Sequence, residues 1–201
     1  MRTYEGIDLL DVDSLLTDDE RQVRDTIRDF VSAEALPAVI PHFREATFPT
    51  DLIPRLAEMG IFGAHIQGYG CAGLGPVAYG LIMQELERAD SGYRSFVSVQ
   101  SSLAMSAIYL FGTDEQRQRH LPEMAAGRTI GAFALTEADH GSDAGAMDTY
   151  VTPVAGGYEL NGSKMWITNA GIADLLVVWA KLEDKVRAFL VGAGLPGVSR
   201  H

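Results

Sequence analysis

Residues 133–143, which read FALTEADHGSD, are of types that can bind the edge of a planar heterocycle. The pattern predicts a strand running into Thr136 and Glu137 and then a loop. Backbone amides and the Thr136 hydroxyl at the end of that strand can hydrogen-bond a ring edge. Gly141 allows the backbone to approach a ligand closely, because no Cβ stands in the way. We therefore expect ligand contacts where this strand ends.

The same segment contains His140, Ser142 and Asp143, which invite two other interpretations. A nucleophilic triad is disfavoured, because residues so close in sequence do not normally give the geometry that a triad requires. A metal site built on His140 and carboxylates is also disfavoured, because few ligands and no second histidine lie nearby. We expect no catalytic triad and no metal here.

Residues 161–171, NGSKMWITNAG, form a second segment of interest. Asn161-Gly162 is a strong turn signal, and a strand after it would place Trp166 and Thr168 on the same side by alternation. An indole to pack on and a hydroxyl donor for N5 are what one face of a flavin needs. The alternative is a core tryptophan with a threonine at a strand end.

Arg94 opens an otherwise uncharged stretch, residues 91–103, which we expect to be a buried helix. A buried guanidinium needs an anionic partner, because leaving it unpaired costs several kcal/mol. That partner is either an acid nearby in the sequence or the carboxylate of a substrate, held bidentately. The residues alone favour an internal salt bridge with Glu85, Glu87 or Asp90.

Residues 68–73, GYGCAG, match the G-x-G-x-x-G spacing of a dinucleotide-binding loop. That motif requires a strand before the loop, a helix after it, and an acidic residue at the end of a second strand about 20 positions on. Here the acids Glu85 and Glu87 fall inside a predicted helix, and another helix follows. We interpret the match as a coincidence in a loop between helices.

The first 127 residues have helical patterns. Thr17 with Glu20 and Thr113 with Gln116 form capping boxes, and Pro37 is expected to end the first helix. Further helices are predicted from Thr50 to about Gly60, over 76–90, and over 95–112.

From Gly127 the pattern changes to short β-branched or aromatic runs, which predict strands. They lie at 129–137, 149–155, 158–169, 175–182 and 186–193. Helices followed by strands indicate an α+β fold. We place a helical domain at 1–127 and a sheet domain at 128–201.

Composition excludes several classes of function. The net charge of −11 argues against a nucleic-acid binder. One cysteine, Cys71, rules out an internal disulfide and suits a reducing compartment. The acidic N-terminus lacks the features of a targeting peptide, and no apolar run approaches the length of a membrane span. A cytoplasmic protein without membrane contact is the expectation.

Taken together, these segments resemble the acyl-CoA dehydrogenases. LTEADHGSD is similar to their LTEP-x-x-GSD signature, apart from Ala138 in place of proline, and NGSKMWITNAG is similar to NG-x-K-x-WITN. GYRSFVSVQSSL is similar to the glutaryl branch. The resemblance implies a helical domain, then an antiparallel β-barrel domain that is incomplete here, with FAD against the barrel.

The resemblance also implies roles for individual residues. Those that would line the flavin are Phe133, Ala134, Leu135, Thr136, Gly141, Ser142, Trp166, Ile167 and Thr168. Thr168 would donate to N5, and Ser142 would also contact the CoA part of the substrate. Arg94 and Ser95 would hold the distal carboxylate of a glutaryl chain.

The implied reaction is α,β-dehydrogenation of an acyl-CoA thioester, here oxidative decarboxylation of glutaryl-CoA to crotonyl-CoA, with electrons passed to an electron-transfer flavoprotein. The family's base is a Glu in a C-terminal helical domain that also builds a homotetramer. We expect that domain to be absent from this chain, and the 201 residues alone to contain no catalytic residue and to be inactive. The alternatives are another short-chain acyl-CoA dehydrogenase or oxidase, or a non-catalytic thioester-binding or assembly module.

Overall fold

The computed structural model describes residues 9–200, which pack as two compact units. One unit comprises residues up to 48 together with 74–94, and the other comprises 49–73 together with residues from 95 onward. The α-helices are α1 (Asp18–Phe30), α2 (Leu36–Glu45), α3 (Ile53–Glu58), α4 (Pro76–Ala89), α5 (Ser91–Ser98), α6 (Ser106–Phe111) and α7 (Asp114–Ala125). None of the described helices is both long enough and apolar enough to cross a bilayer.

The helix starts agree with the sequence where a cap defines them. Both capping boxes are present, with Thr17 accepting from the Glu20 amide and Thr113 accepting from the Gln116 amide. Thr50 does not cap a helix with its side chain; it begins a short 3₁₀ turn, Thr50–Leu52, that leads into α3. Residues 68–73 lie in a connection between α3 and α4, with no strand on either side. This confirms that the match to the G-x-G-x-x-G spacing is a coincidence.

The expectation that Pro37 ends the first helix was wrong. A π-helical segment, Val31–Ala35, joins α1 to α2, and the Leu36 amide donates to the Val31 carbonyl five residues back. Proline lacks an amide hydrogen and clashes with the carbonyl four residues before it. The widened turn gives the ring room, so the chain continues as a helix with Pro37 in the first turn of α2.

The first unit has its core between α1 and α4. Ile27, Phe30 and Val31 are buried there, as are Ile82 and Leu86. Within this apolar contact Glu85 is only 1% exposed. Its carboxylate accepts from Arg28 at 2.7 Å and from Arg88 at 2.9 Å, so the buried charge is fully paired.

The second unit contains the sheet. Its strands are β1 (Gly131–Ala134), β2 (Tyr150–Val154), β3 (Gly157–Asn161), β4 (Leu175–Leu182) and β5 (Lys185–Gly192). One face of the sheet carries a buried apolar cluster of Ala132, Ala134, Ala173, Leu176, Val178 and Ala193. On the other side, the π-helical segment Val99–Met105, between α5 and α6, packs against β1.

The sheet is open and mixed. The β2–β3 and β4–β5 pairs are antiparallel, as expected, since each is joined by a short turn. β1 instead pairs in parallel with β4, and β2 makes one parallel contact with β4 at Tyr150 and Lys181. Parallel pairing is possible because about forty residues separate β1 from β4.

The predicted strand over 158–169 is correct only as far as Asn161. Gly162 has φ of +151°, and a Cβ there would lie 2.4 Å from the Thr149 hydroxyl oxygen. The chain then passes through Trp166 and Asn169, which both have positive φ, at 57° and 70°. Trp166 and Thr168 therefore lie in a loop, and strand alternation does not apply to them.

Glu85 provides a test of the first unit's core. Replacing it by Gln removes the charge while keeping the shape, and we expect the free energy of unfolding to fall by about 2–3 kcal/mol. The loss stays below that of a fully buried pair, because Arg28 and Arg88 are partly exposed and regain solvent contact. Urea denaturation measures the change.

The matched control is Glu123→Gln, which removes the partner of Arg128 in an exposed pair. It should leave the denaturation midpoint almost unchanged, because exposed ion pairs contribute little. Equal losses in the two variants would show that the burial of Glu85 has no energetic importance.

Candidate functional site

The two signature segments, residues 133–143 and 161–171, lie side by side in the second unit. The Met165 amide donates to the Thr136 carbonyl at 2.9 Å. The Lys164 ammonium donates to the Leu135 carbonyl at 3.0 Å and to the Glu137 carboxylate at 2.7 Å. The fold thus brings together two groups of residues that are about 30 positions apart in sequence.

Glu137 anchors this junction. Besides Lys164, its carboxylate accepts from the amides of Asp148 and Thr149 and from the Thr149 hydroxyl. Burial raises the pKa of Glu137, but the hydrogen bonds from Lys164, Thr149 and the two amides outweigh that effect and lower the pKa to about 2. A carboxylate so fully bonded is a structural anchor.

Lys164, which holds the two segments together, is not among the residues predicted from the sequence. It is the only cation in NGSKMWITNAG, and the other segment contains the acid Glu137. A lone cation in one segment and an acid at the end of a strand in the other could have indicated an ion pair between them. Only the packing shows that this ion pair is buried, because it leaves the Lys164 side chain 9% exposed.

Trp166 is the most exposed large aromatic residue of the site. Its relative exposure is 84%, and its positive φ costs about 1–2 kcal/mol for a residue with a Cβ. Thr168 is exposed as well, while Ile167 between them packs partly against the sheet cluster. A strained backbone that holds an apolar ring in solvent is typical of a ligand-binding position, so the alternative of a core tryptophan is wrong.

The first segment contributes backbone and small side chains. Leu135 and Thr136 are half-buried, and Gly141 and Ser142 are exposed. A Cβ added at Gly141 would meet no atom within 4 Å, so packing inside the chain does not account for the glycine. Open space above Gly141 and an exposed indole at Trp166 fit the close approach of a planar ligand such as a flavin.

His140 does not form a triad with Ser142 and Asp143. Its Nδ1 lies 3.4 Å from Asp143 and its Nε2 lies 3.6 Å from Asp148, so both ring nitrogens face carboxylates. Ligand atoms of Glu137, His140 and Asp148 lie within 4.8 Å of one another. The Glu137 oxygens, however, already accept four hydrogen bonds, one of them from an ammonium, which opposes a bound cation.

Arg94 lies in the first turn of α5 and is not buried as expected; its side chain is 40% exposed. Its Nε donates to Glu87 at 2.7 Å, so the internal salt bridge that the residues favoured is present. Hydrogen bonds from Arg94 and Ser91 lower the pKa of Glu87. The bond uses only Nε, and among residues 9–200 no hydrogen bond engages the two terminal amino groups of Arg94.

Comparisons with known proteins establish the family of the chain. The family model for the acyl-CoA dehydrogenase N-terminal domain matches residues 17–128, and that for the middle domain matches residues 132–201. The chain belongs to the acyl-CoA dehydrogenase family. The family is FAD-dependent, and the residues of the two segments fit that cofactor.

Individual relatives are similar over nearly all of this chain. An acyl-CoA dehydrogenase of Bacillus subtilis is 35% identical over 90% of the chain and 50% of its own length. A glutaryl-CoA dehydrogenase from Mycobacterium smegmatis in complex with FADH2 is 48% identical, with a TM-score of 0.93, over 97% of this chain and 50% of its own.

A chain in a structure of an electron transferring flavoprotein from Acidaminococcus fermentans is 35% identical, with a TM-score of 0.86, over 90% of this chain and 50% of its own. The chain therefore spans about half the length of the relatives it matches.

The state of Glu137 predicts a pH dependence of stability. Its folded pKa of about 2 lies below the ordinary value of 4.5, so its stabilising contribution is present above pH 4.5 and is lost as the pH falls towards 2. We expect wild-type protein to lose about 1–2 kcal/mol more stability than Glu137→Gln between pH 5 and pH 3. Urea denaturation at both pH values measures the difference.

Glu159→Gln is the control, because Glu159 is exposed and, within the described part of the chain, its carboxylate bonds only the Asn161 side chain. It should follow the wild type at both pH values. If Glu137→Gln also followed the wild type, the carboxylate would not be the anchor of the junction.

Proposed function

We propose that this chain forms the flavin-facing part of an enzyme that removes hydrogen from the α and β carbons of an acyl-CoA thioester. The observation that carries the proposal is the hydrogen-bonded pairing of the two segments, which leaves Trp166 exposed beside the end of β1. FAD accepts the hydride in such a reaction, and the protein binds and orients it.

The residues proposed to hold FAD are Phe133, Ala134, Leu135, Thr136, Gly141, Ser142, Trp166, Ile167 and Thr168. The indole of Trp166 supplies an apolar surface, and the Thr168 hydroxyl is the proposed donor to N5. The exposed Ser142 is also proposed to contact the CoA part of the substrate. The boundary near Gly127, between a helical and a sheet domain, remains part of this proposal.

A base must take the α-proton, and Glu137 cannot be that base. A general base works best with a pKa near the working pH, whereas Glu137 has a pKa of about 2 and all its oxygens are engaged. We propose that a carboxylate outside these 201 residues takes the proton. On this view the chain alone does not turn over substrate.

For the substrate we propose glutaryl-CoA, with Arg94 and Ser95 holding the distal carboxylate. Support comes from the similarity to the Mycobacterium smegmatis glutaryl-CoA dehydrogenase and from the terminal amino groups of Arg94, which its bond to Glu87 leaves available. The unsaturated product would then lose its γ-carboxylate as carbon dioxide and become crotonyl-CoA. A short unsubstituted acyl chain is the second candidate, because Glu87 already neutralises Arg94.

An electron-transfer flavoprotein is the proposed electron acceptor, supported by the similarity to a chain in the Acidaminococcus fermentans flavoprotein structure. A homotetramer is proposed from the family resemblance. A cytoplasmic location is proposed from the composition.

FAD titration of the chain tests the flavin site. We expect weak, saturable binding that quenches flavin fluorescence, and Trp166→Phe should weaken it by about three- to tenfold, because the smaller ring gives less stacking area. Tyr158→Leu is the control, since it shortens an exposed aromatic side chain that packs on Phe189 and not on a residue proposed to hold FAD. It should leave the binding nearly unchanged.

Equal affinities for wild type and Trp166→Phe would contradict the assignment of the indole, as would a folded chain with no saturable FAD binding. Tight, stoichiometric FAD binding to the chain alone would contradict the expected weak binding.

Arg94→Met tests the substrate assignment by calorimetric binding of glutaryl-CoA and butyryl-CoA. The variant loses the proposed charge-assisted hydrogen bond from Arg94 to the glutaryl carboxylate. We therefore expect the preference for glutaryl-CoA to fall about tenfold or more, with butyryl-CoA binding unchanged. Arg128→Met is the matched control, because Arg128 also pairs with a surface glutamate. An unchanged preference in Arg94→Met would favour the short unsubstituted acyl chain.

A further inference from the structure

Both backbone polar groups of Gly131, the first residue of β1, are held by side-chain amides. Its N–H donates to the Gln100 oxygen at 2.6 Å, and its carbonyl accepts from the Asn169 side-chain nitrogen at 3.1 Å. A side chain at this position is excluded, because a Cβ would lie 2.7 Å from both Ala104 and Met124. The strand thus begins at a point fixed from two directions.

Gln100 provides the first of these two contacts. It is fully buried in the π-helical segment Val99–Met105, and its side-chain nitrogen donates to the carbonyls of Met124 at 3.1 Å and Thr129 at 2.9 Å. The amide therefore uses both donor hydrogens and its oxygen. Such a fully satisfied buried network specifies one arrangement, since any shift leaves a polar group unpaired. Short π-helical segments are frequent at functional sites.

Asn169 provides the second contact and directly follows Thr168. Its φ is +70°, a conformation that asparagine tolerates better than most residues. Its side-chain nitrogen donates to the Gly131 carbonyl and also, at 3.2 Å, to the Phe96 carbonyl in α5. One amide thus ties the loop that carries Trp166 and Thr168 to both a strand and a helix.

We infer that Gln100 and Asn169 are positioning residues, which set the loop 162–169 against β1 and thereby orient Trp166 and Thr168. The flavin part of this inference rests on the proposed function. Lys164 and Met165 hold the loop at the far end of β1, at Leu135 and Thr136. Asn169 holds it at the start of the strand, so the exposed indole lies between two fixed points.

The arrangement also connects the loop to α5. Phe96, whose carbonyl accepts from Asn169, follows Ser95, which is one of the residues proposed to hold the acyl tail. A displacement of the α5 backbone at Ser95 would therefore reach the loop through one peptide unit and one hydrogen bond.

Asn169→Gly is the test variant. Glycine adopts the positive φ without strain, so the change removes the amide and keeps the backbone conformation. Gln100 is less suitable, because its loss removes three hydrogen bonds at once and threatens folding. Asn161→Gly is the matched control, since it removes a side-chain amide just before the same loop that, among residues 9–200, bonds only the exposed Glu159.

The first readout requires no FAD. We expect the Met165 amide, which is bonded to Thr136, to exchange its hydrogen about tenfold faster in Asn169→Gly, because the loop opens more often when two hydrogen bonds are lost. The fluorescence anisotropy of Trp166, measured in a Trp179→Phe background, should fall. Asn161→Gly should change neither quantity.

The second readout is a double-mutant cycle on FAD affinity. If Asn169 acts by orienting the indole, Asn169→Gly weakens FAD binding about tenfold in the wild type but little in Trp166→Phe, because contacting residues are non-additive. A merely structural role predicts equal effects in both backgrounds. Asn161→Gly should be additive with Trp166→Phe.

The outcomes separate the two proposals. If wild type fails to bind FAD while Asn169→Gly accelerates Met165 exchange, the positioning role stands and the proposed flavin site fails. If Met165 exchange and Trp166 anisotropy are unchanged in Asn169→Gly, or FAD binds and the cycle is additive, the positioning role is overturned.

Discussion

The candidate site depends on the ion pair between Lys164 and Glu137. Each partner is almost fully buried, and each also bonds the backbone, Lys164 to the Leu135 carbonyl and Glu137 to two amides near β2. A buried charge is tolerated only when it is paired and hydrogen-bonded. The pair therefore forms in one register of the two segments, and in that register Met165 reaches Thr136.

Around this pair the chain combines rigid and strained elements. Gly131 and Gly162 are required by close packing, since a Cβ at either would clash. Gly141 has no such constraint, and Trp166 is held in solvent with a positive φ. Internal packing explains the first two positions but not the last two. The unexplained positions are the ones proposed to contact the flavin.

Arg94 shows how an internal contact would compete with the proposed substrate carboxylate. The guanidinium is partly neutralised by Glu87, yet both side chains remain substantially exposed. An exposed ion pair contributes little stability, so the proposed substrate carboxylate would bind the remaining donors without a large cost. The Glu85 carboxylate, which is only 1% exposed, could not be used in this way, because drawing Arg28 and Arg88 away would leave it without solvent or partner.

Local chemistry in the sequence was sufficient for much of the fold. Capping boxes at Thr17 and Thr113 and the change to β-branched runs after Gly127 predicted the order of helices and strands, because caps and side-chain periodicity act over a few residues. The motif residues of the two segments were identified in the same way, by type and spacing. These signals need no knowledge of distant neighbours.

Three features were decided only by the tertiary structure. The chain continues as a helix through Pro37 because a π-helical turn makes room for the ring. β1 pairs in parallel with β4, and the loop 162–169 replaces a predicted strand because side chains and one amide, rather than a ladder of backbone hydrogen bonds, tie it to residues 131–137. Each of these features depends on groups that are distant in sequence or on backbone hydrogen bonds. Backbone hydrogen-bonding groups are the same for nearly all residue types, so they leave no pattern along the chain.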